Sequence, residues 1–348
     1  MKIGLFVNRL ATEKAVYTTT RLAMAAARRG HNVWYIDADD FAYDADERIR
    51  AWATAVPRRR YKLADSFLGY LQSEKAPVER ITISDLDVLI LRNDPAIETG
   101  SRTWAQTAGI VFGRVAKRHG VIVLNDPDAL AGALDKTYLQ LLPEEIKPRT
   151  IITRKRDEVK AFVKDVGGRA VLKHLQGSGG RSVFLVTPEN RGNLNQMVEA
   201  LTRDGYILVQ EYMVAAEKGS TRLFLMNGEP LRYKGKYAAF QWVRTGDEMH
   251  MNIHAPGATT QSALTKAHFR IAEAVRPRLV QDGMFLAGLQ IVEDKLIDID
   301  VFSPGGLGNA QAFEKVNFSE AVIISIERKV AYMAYYDRQF DNVDMATL

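Results

Sequence analysis

Cysteine is absent from the 348-residue sequence. This absence excludes disulfide bonds, zinc sites built from thiolates and thiol nucleophiles, and it is consistent with the cytoplasmic location that we expect. Long apolar runs are also missing, because no stretch approaches the roughly 20 apolar residues that span a bilayer. Residues 1–7 have the pattern of a buried strand, not that of a signal peptide. We therefore expect no membrane partner.

The excess of charge of one sign is small. The chain carries 47 basic and 42 acidic residues, a formal net charge of +5, spread along its length. Such a charge suits phosphate or carboxylate ligands as well as nucleic acid. No motif for DNA or RNA recognition accompanies it, so we expect no nucleic-acid partner. The basic run Arg58-Arg59-Arg60 is interpreted as a solvated surface, and the chain length allows two or three packed subdomains.

Apolar segments alternate with helical patterns over the first 125 residues. The helix at residues 18–29 is expected to begin at an N-cap Thr18 or Thr19 and to stop at Gly30, and residues 44–80 look polar and irregular. Short strands separated by helices predict a doubly wound parallel sheet. No GxGxxG motif follows the first strand, so nothing points to a dinucleotide site. The predicted strands cover residues 3–7, 32–36, 86–91 and 121–124, and a second helix covers residues 104–118.

The pattern changes after Pro127. Most later strands are spaced as antiparallel hairpins, which predicts an α+β region behind the α/β domain. The residues after Tyr336 have the pattern of a tail. The predicted strands cover residues 150–153, 169–173, 182–186, 207–212, 221–226, 230–237, 285–292 and 296–301, and the predicted helices cover residues 128–141, 157–165, 193–203 and 260–281.

A glycine-rich loop, residues 177–182, is the first segment that carries chemistry. Glycines let backbone N–H groups approach phosphate oxygens without a side chain between them. Lys173, at the end of the preceding strand, can add a positive charge to the same phosphates. In a P-loop the lysine follows the glycines and opens a helix, whereas here it precedes them and a strand follows. We therefore predict a flap within a hairpin, and a plain mobile turn is the alternative.

Acidic and amide side chains meet in a predicted hairpin at residues 285–301. A three-residue turn centred on Asp294 sets Gln290 opposite Asp298, and strand alternation adds Asp300 to the same face. These hard oxygen ligands suit Mg²⁺, and a bound cation relieves the repulsion between the two carboxylates. A solvated sheet face is the alternative. The opposite face, directed to the core, is expected to carry Ile297, Ile299 and Val301.

Three further sequence features could belong to the same site as this hairpin. The run Ser303-Pro304-Gly305-Gly306 exposes backbone N–H groups at the end of the second strand. The apolar strand at residues 206–213 turns polar at its end and can present backbone groups to the edge of an adenine ring. Arg222 and Lys136, each taken alone, have the pattern of surface charges.

In this order, the segments resemble the bacterial glutathione synthetases of the ATP-grasp superfamily, and the resemblance covers nearly the whole chain. It implies an N-terminal α/β domain followed by two ATP-grasp lobes that clamp ATP, with Mg²⁺, bound as two ions, as the other cofactor. It also implies a homo-oligomer, either a dimer or a tetramer. The matching segments are residues 23–30, 85–95, 123–127, the flap, 227–230, 288–291 and 298–304. The implied domains are residues 1–125, residues 126–205 with the lid, residues 206–336 with the metal hairpin, and a tail at residues 337–348.

The resemblance also implies roles for single residues. Arg222 would face the transferring phosphoryl group and, with Lys173, form the catalytic set. Gln290, Asp298 and Asp300 would hold Mg²⁺. The residues implied to bind the nucleotide are Lys136, Lys173, Gly177, Ser178, Gly179, Gly180, Ser182, Gln210, Glu211, Tyr212 and Met213.

Several positions depart from the family pattern. Gln290, Asp298 and Asp300 stand where the family commonly has Asp, Glu and Asn, so the summed charge of the ligands stays at −2. Ser220 replaces an Asp of the ribose-side loop, and Glu217 is its expected substitute. The flap carries His174 and Gln176 in place of Pro and Asp, and a substrate-binding Arg is replaced at or near His250. The expected substrate-facing residues are His250, Asn252, Ser303, Gly305 and Gly306.

Together these features predict an ATP-dependent ligase that activates a carboxylate as an acyl phosphate and joins it to an amine. Arg222 and the N–H groups near Gly305 and Gly306 would stabilise the developing negative charge. Small amino acids or peptides are the expected substrates, although the changed substrate-facing positions point away from glutathione itself. Two alternatives stay open. One is a ligase for a protein acceptor, docked by the run at residues 58–60, and the other is a catalytically silent nucleotide-binding protein, suggested by Gln290 and Ser220.

Overall fold

The computed structural model describes residues 1–58, 61–177, 183–243 and 259–348. Its N-terminal domain contains the strands β1 (Lys2–Val7), β2 (Asn32–Asp37), β3 (Phe41–Tyr43), β4 (Ile49–Ala55), β5 (Val78–Thr82), β6 (Val88–Leu91) and β7 (Ile122–Leu124). They form one sheet in the order β3-β4-β2-β1-β6-β7, and β5 also pairs with β4. Strands β2, β1, β6 and β7 run parallel, as predicted, because helices connect them.

Residues 44–80 are more regular than predicted. They contain β4, β5 and the helix α2 (Ala64–Leu71), and both strands are antiparallel to their neighbours. In β4 the buried positions are Ile49 and two small residues, Ala51 and Ala53, while Trp52 is half exposed. The prediction of irregular structure was wrong because alanine gives a weak apolar pattern, although it packs well beneath the sheet.

The first helix, α1 (Thr18–Arg28), begins with Tyr17 as its N-cap residue, and no side chain caps it. The predicted N-cap at Thr18 or Thr19 was therefore wrong. These hydroxyl groups are used in tertiary contacts instead: Thr18 accepts a hydrogen bond from the Leu307 N–H, and Thr19 accepts one from Arg92. The stop at Gly30 is confirmed, since Gly30 has a φ of +87°.

The segment that follows β7 is broken where one continuous helix was predicted over residues 128–141. The helix α3 (Ala108–Arg118) precedes β7 in the chain. After β7 come the short helix α4 (Pro127–Ala131) and a 3₁₀ turn at Lys136–Leu141. Asp135 caps this turn by accepting a hydrogen bond from the Thr137 N–H. The break brings Lys136 to the start of a turn, and its backbone N–H donates to the Leu175 carbonyl at the base of the flap.

The next unit, which we call the first lobe, is an antiparallel sheet with helices packed against it. The sheet order is β10-β9-β11-β8, and an apolar core lies between it and the helices. The predicted boundaries at residues 125, 205 and 336 remain a proposal. The elements are β8 (Thr150–Thr153), α5 (Arg156–Asp165), β9 (Ala170–His174), β10 (Val183–Val186), α6 (Leu194–Thr202) and β11 (Ile207–Glu211).

The second lobe is built on the sheet β17-β16-β12-β18-β19, with β13 also paired to β12. Its core joins that of the N-terminal domain, because residues of both belong to the same buried clusters. The elements are β12 (Ser220–Met226), β13 (Glu229–Pro230), β14 (Arg232–Tyr233), β15 (Lys236–Tyr237), β16 (Ala239–Trp242), β17 (Thr259–Thr260), α7 (Lys266–Gln281), β18 (Leu286–Val292), β19 (Lys295–Asp300), α8 (Leu307–Glu314), α9 (Phe318–Tyr336) and α10 (Asn342–Thr347).

Three predictions in this lobe need correction. The strand predicted over residues 230–237 is divided into β13, β14 and β15, and the helix predicted from residue 260 begins only at Lys266, where Thr265 and His268 form a capping box. The residues after Tyr336 are not a loose tail. They include α10, whose Asn342 side chain bonds both the N–H and the carbonyl of Val123 at the edge of β7.

The N-terminal domain and the second lobe are joined by buried polar contacts. The Asn125 side chain, just after β7, bonds the N–H and the carbonyl of Leu286. Arg92, just after β6, donates to the Pro304 carbonyl at 3.2 Å. The carboxyl edge of the parallel strands therefore faces the hairpin β18–β19 and the loop that follows it. Within the described ranges, no helix has the length and hydropathy needed to cross a membrane.

Candidate functional site

The hairpin β18–β19 places its polar residues as predicted, although its turn has a different shape. Gln290 pairs with Asp298, and Gly288 pairs with Asp300. The turn contains two residues instead of three, with Glu293 at a φ of +52°, and a β-bulge beside Gln290 restores the predicted register. The bulge also changes which residue faces the core: Leu296 is fully buried, whereas Ile297, predicted in the core, is only partly buried.

A lysine closes on this hairpin from outside the lobe. Lys136 Nζ lies 2.9 Å from Asp298 Oδ2. Burial on its own would raise the pKa of Asp298, but Lys136 and Lys173 outweigh it and hold that pKa below its usual value. Asp298 is therefore a carboxylate at neutral pH, surrounded by cations that can also bind phosphate oxygens.

Lys173 extends from β9 of the first lobe into the same space. Its Nζ donates to Gln210 Oε1 at 3.1 Å and to the Ile297 carbonyl at 3.4 Å. Burial lowers its pKa to about 8, although the Asp298 charge opposes this shift. An ammonium group that is partly buried and whose hydrogen-bond partners among the described residues are neutral gains from a polyphosphate placed beside it. This placement is compatible with the predicted phosphate contact of Lys173, and that role stays a prediction.

Arg222, on β12 opposite Gln290, is buried with unused donors. Its side chain is 6% exposed, and in the part of the chain that the structure describes its Nε and Nη1 have no hydrogen-bond partner. Asp300 Oδ2 is the nearest opposite charge, 3.9 Å from Nη1. Each unpaired buried donor costs roughly 1–3 kcal/mol. Such donors suit an oxyanion that completes their hydrogen bonds, and this fits a transferring phosphoryl group.

A glycine makes room for this arginine. A Cβ atom built on Gly288 would lie 2.4 Å from Arg222 Nη1 and 3.1 Å from the Pro304 Cβ. The guanidinium group therefore crosses the strand above Gly288. The sequence did not mark Gly288 as functional, because its role depends on the pairing of β12 with β18.

The residues at the hairpin fit a hard divalent cation. The oxygen donors are the carboxylates of Asp298 and Asp300 and the amide of Gln290. The described residues contain no group of three or more His, Cys, Asp or Glu side chains that could hold a metal, so a three-ligand site needs the amide oxygen of Gln290. Oxygen donors with a summed charge of −2 are suited to Mg²⁺.

The strand β11 and its continuation were predicted to frame adenine. Gln210 is buried, with Oε1 on Lys173 and, within the described ranges, no partner for Nε2. The backbone N–H groups of Glu211 and Tyr212 donate to the Arg149 and Arg169 carbonyls. The adenine role of residues 210–213 stays a prediction. The predicted ribose ligand Glu217 lies 3.8 Å from Arg169 Nη1 and is half exposed.

The loop after β19 is held at both ends. The Ser303 N–H donates to Asp300 Oδ1, and the Pro304 carbonyl accepts from Arg92. Gly306 has a φ of +93°, and a Cβ atom there would lie 2.6 Å from the Phe240 ring, so only glycine fits. Gly306 is also the N-cap residue of α8. The predicted N–H groups at Gly305 and Gly306 thus belong to a constrained turn beside Asp300.

Some predicted residues lie outside the described residues. They comprise most of the flap, two expected substrate contacts and part of the basic run: Ser178, Gly179, Gly180, Ser182, His250, Asn252, Arg59 and Arg60. Gly177, the first glycine of the flap, is described and follows the segment that bonds Lys136.

The structure adds a second candidate region that the sequence did not mark, the space beyond the carboxyl ends of β1 and β6, which we call the crevice. In the N-terminal sheet, β1 connects to β2 on one side and β6 connects to β7 on the other, so the strand order reverses between β1 and β6. Ligands of such sheets bind beyond the carboxyl ends of the strands where the order reverses. Arg92 lies there, 4% exposed, and burial lowers its pKa to about 10 against the attraction of Asp300 and Glu13. Glu13, on the loop after β1, has a buried Oε2 atom with no hydrogen-bond partner among the described residues. Burial raises its pKa to about 7.

Comparisons with known proteins cover both halves of the chain. The family model for the prokaryotic glutathione synthetase N-terminal domain matches residues 1–131, and that for the prokaryotic glutathione synthetase ATP-grasp domain matches residues 135–315. The chain is 31% identical over 330 residues to the glutathione synthetase of Gloeobacter violaceus, covering 93% of this chain and 95% of that one. It is 27% identical to the glutathione synthetase of Escherichia coli (strain K12), covering 95% and 99%.

Solved structures confirm the predicted fold. A D-cycloserine synthetase superposes with a TM-score of 0.61 at 14% identity, covering 94% of this chain and 99% of that chain. The ATP-grasp ligase PsnB complexed with a minimal precursor superposes with a TM-score of 0.59 at 14% identity, covering 93% and 98%. At such low identity these likenesses concern the fold alone, which is the two-lobed ATP-grasp fold behind an N-terminal α/β domain.

Proposed function

This chain belongs to the prokaryotic glutathione synthetase family and is an ATP-dependent ligase that forms carbon–nitrogen bonds; from this premise we propose that it makes an acyl phosphate from a small amino-acid or peptide carboxylate and passes the acyl group to an amine. The proposal rests on the environment of Arg222. This arginine is a buried cation whose Nε and Nη1 have no partner among the described residues, and it lies beside Asp300. Asp300 accepts a hydrogen bond from the Ser303 N–H in the loop that leads to Gly305 and Gly306. That is the arrangement needed where negative charge develops and then moves.

Separate groups of residues bind the nucleotide and the metal in this proposal. Lys136 and Lys173 bind the phosphates of ATP, with the flap from Gly177 onward as the lid, and residues 210–213 and Glu217 hold the nucleoside. Gln290, Asp298 and Asp300 hold Mg²⁺, as two ions. When bound, Mg²⁺ neutralises phosphate charge and polarises the phosphoryl group.

In the first step, an oxygen of the substrate carboxylate attacks the γ-phosphorus of ATP, and the bond to the β-phosphate oxygen breaks with release of ADP. Lys173 and Arg222 neutralise the transferring group, so no side-chain nucleophile is needed. In the second step, the amine nitrogen attacks the acyl carbon, the carbon–oxygen bond to phosphate breaks, and inorganic phosphate and a proton leave. Arg222 and the N–H groups at Gly305 and Gly306 stabilise the oxyanion. Closure of the lid excludes water, which would hydrolyse the acyl phosphate.

The charged residues in the crevice beyond β1 and β6 favour a small substrate over a protein substrate. Both Asp300, on the hairpin β18–β19, and Glu13, on the loop after β1, attract the Arg92 guanidinium group. The Glu13 Oε2 atom, which has no partner in the described part of the chain, suits an ammonium or another N–H donor. We therefore propose that the acid substrate is an amino acid or short peptide whose amino group reaches Glu13. His250, Asn252, Ser303, Gly305 and Gly306 contribute to the remaining substrate contacts.

Hydroxylamine trapping tests this function and identifies the acid. The protein is incubated with ATP, Mg²⁺, hydroxylamine and pools of amino acids and dipeptides that include the substrates of glutathione synthesis. An acyl phosphate gives a hydroxamate, whose mass names the acid, together with stoichiometric ADP. A second pool, with amines in place of hydroxylamine, then identifies the acceptor. ADP formation no higher than that of the Arg222→Met variant with every pool would overturn the proposal.

We also propose that the enzyme acts in the cytoplasm, where ATP is supplied, and assembles as a dimer or tetramer. Light scattering on the purified full chain measures the assembly, and a monomeric mass at assay concentrations would contradict it.

A further inference from the structure

Two residues that depart from the family pattern are bonded to each other. Gln290 Nε2 donates a hydrogen bond to Ser220 Oγ, and both side chains are buried, at 9% and 2% exposure. Gln290 is paired with Arg222 across β18 and β12, and Ser220 lies two residues before Arg222 on the same face. The serine and the glutamine were thus separate in the sequence analysis but form one contact in the fold.

An amide is a metal ligand at only one of its ends. The amide oxygen can coordinate a cation, whereas the NH₂ group at the other end repels it. The terminal torsion of glutamine is broad and roughly two-fold, so the side chain alone does not choose between the two orientations. A carboxylate at this position would not meet this difficulty, because both of its ends are oxygen.

We propose that Ser220 is a positioning residue that turns the Gln290 amide so that its oxygen completes the Mg²⁺ site with Asp298 and Asp300. β18 lies between β12 and β19 in the sheet. Ser220 holds the amide nitrogen on the β12 side, so the oxygen is left for the β19 side, where both aspartates lie. This inference rests on the proposed function, since it assumes that the hairpin holds the metal of an ATP-dependent ligase.

The same contact explains why Gln290 and Ser220 occur together. Where the family has an aspartate at each position, a glutamine at position 290 alone would leave the amide orientation undetermined. The serine accepts a hydrogen bond from the amide nitrogen and adds no charge beside the metal. The two departures are therefore one paired change that keeps a metal site, and they do not indicate a silent protein.

A double-mutant cycle read by metal binding tests the inference. Mn²⁺ replaces Mg²⁺ as the probe, and the signal of free Mn²⁺ in electron paramagnetic resonance gives its affinity for the full chain in the presence of ADP. Ser220→Ala should weaken Mn²⁺ binding roughly 10-fold or more, the scale expected for loss of a residue that orients a metal ligand. In the Gln290→Glu background the same serine change should alter the affinity less than about two-fold, because a carboxylate needs no orientation.

Thr221→Val is the matched control. Thr221 is the next residue of β12 but faces the other side of the sheet, where its hydroxyl lies 3.3 Å from Ser262. This variant also removes one buried hydroxyl group, yet it should bind Mn²⁺ as the wild type does. Thermal melting of all the variants confirms that each compared protein is folded.

The outcomes separate the two proposals. If the wild type binds Mn²⁺ with ADP but Ser220→Ala binds it equally well, or if the serine change costs as much in the Gln290→Glu background, the positioning role is overturned and the proposed function stands. If the wild type binds no Mn²⁺ in the presence of ADP, the proposed function is overturned and the inference with it.

Discussion

Lys136 Nζ lies 2.9 Å from Asp298 Oδ2, so a lysine from the turn before the first lobe is paired with a carboxylate on the hairpin of the second lobe. The backbone N–H of Lys136 also donates to the Leu175 carbonyl at the base of the flap. One residue thus connects the turn, the flap and the hairpin. A cation that binds Asp298 has to compete with Lys136, and the released ammonium is then available to phosphate oxygens.

The first prediction concerns this carboxylate. Asp298→Asn should lower kcat by roughly 10²–10³, the scale of losing one preorganised electrostatic contact, because the amide keeps the shape but removes the charge that pairs with Lys136 and that we propose binds the metal. Steady-state release of ADP with the identified substrates measures this. Asp294→Asn, in the exposed turn of the same hairpin, should change kcat less than two-fold. Turnover of Asp298→Asn within about three-fold of the wild type would contradict the metal role.

Arg222 should show opposite effects on activity and on stability. Arg222→Met should lower kcat roughly 10²–10³-fold, yet leave the melting temperature unchanged or raise it, because a buried cation with unpaired donors is costly to fold. ADP release and thermal melting measure the two effects. Arg270→Met, which removes an exposed ion pair with Asp294, is the control and should change neither quantity appreciably. A large loss of stability in Arg222→Met would mean that the arginine is structural.

The pairing within the hairpin β18–β19 could be predicted from the sequence, whereas the contacts around Gln290 could not. Strand alternation and a turn were sufficient to pair Gln290 with Asp298. The turn and the bulge each shift the register by one residue and cancel, so the pairing was correct although the turn was not. The contact of Gln290 with Ser220 joins strands 70 residues apart in sequence, and no local pattern encodes it.

The same limit applies elsewhere in the fold. The parallel strands of the N-terminal domain were predicted because each is an apolar run, but β4 was missed because two of its three buried residues are alanines. The helix α10 was missed because it is short and its anchors are long-range contacts: Asn342 pairs with the edge of β7, and Met345 and Ala346 are buried in the core. Arg92 and Glu13 were missed because the crevice between β1 and β6 exists only once the order of the strands is known.

Gly288 offers a test of how closely Arg222 is positioned. Gly288→Ala should lower kcat roughly 10-fold or more, because the added methyl group would lie 2.4 Å from Arg222 Nη1 and displace the guanidinium group. The methyl group would also lie 3.1 Å from the Pro304 Cβ, so a modest loss of stability is expected, and thermal melting measures it. ADP release measures the effect. Gly69→Ala, on an open face of α2, is the control and should leave kcat unchanged. Equal kcat values in the two variants would show that the guanidinium position is not critical.

Glu13 should make both stability and substrate binding depend on pH. Its pKa is raised from 4.5 to about 7 by burial, so the folded protein holds this proton more tightly than the unfolded chain does. Relative to Glu13→Gln, the free energy of unfolding of the wild type should therefore fall as pH rises from about 4.5 to 7, by at most about 3 kcal/mol, and stay level above that range. Denaturant titrations at pH 5 and pH 8 measure this difference.

The same ionisation should control the substrate. Only charged Glu13 attracts an ammonium group, so the affinity of the wild type for an amino-bearing acid substrate should increase as pH rises through about 7, while that of Glu13→Gln should be weaker and nearly independent of pH. Substrate titrations from pH 6 to pH 8 measure this dependence, and the exposed variant Glu74→Gln should follow the wild-type curve. If Glu13→Gln kept both the affinity and its pH dependence, the crevice between β1 and β6 would not receive the amino group, and the acid substrate would have to extend away from the N-terminal domain.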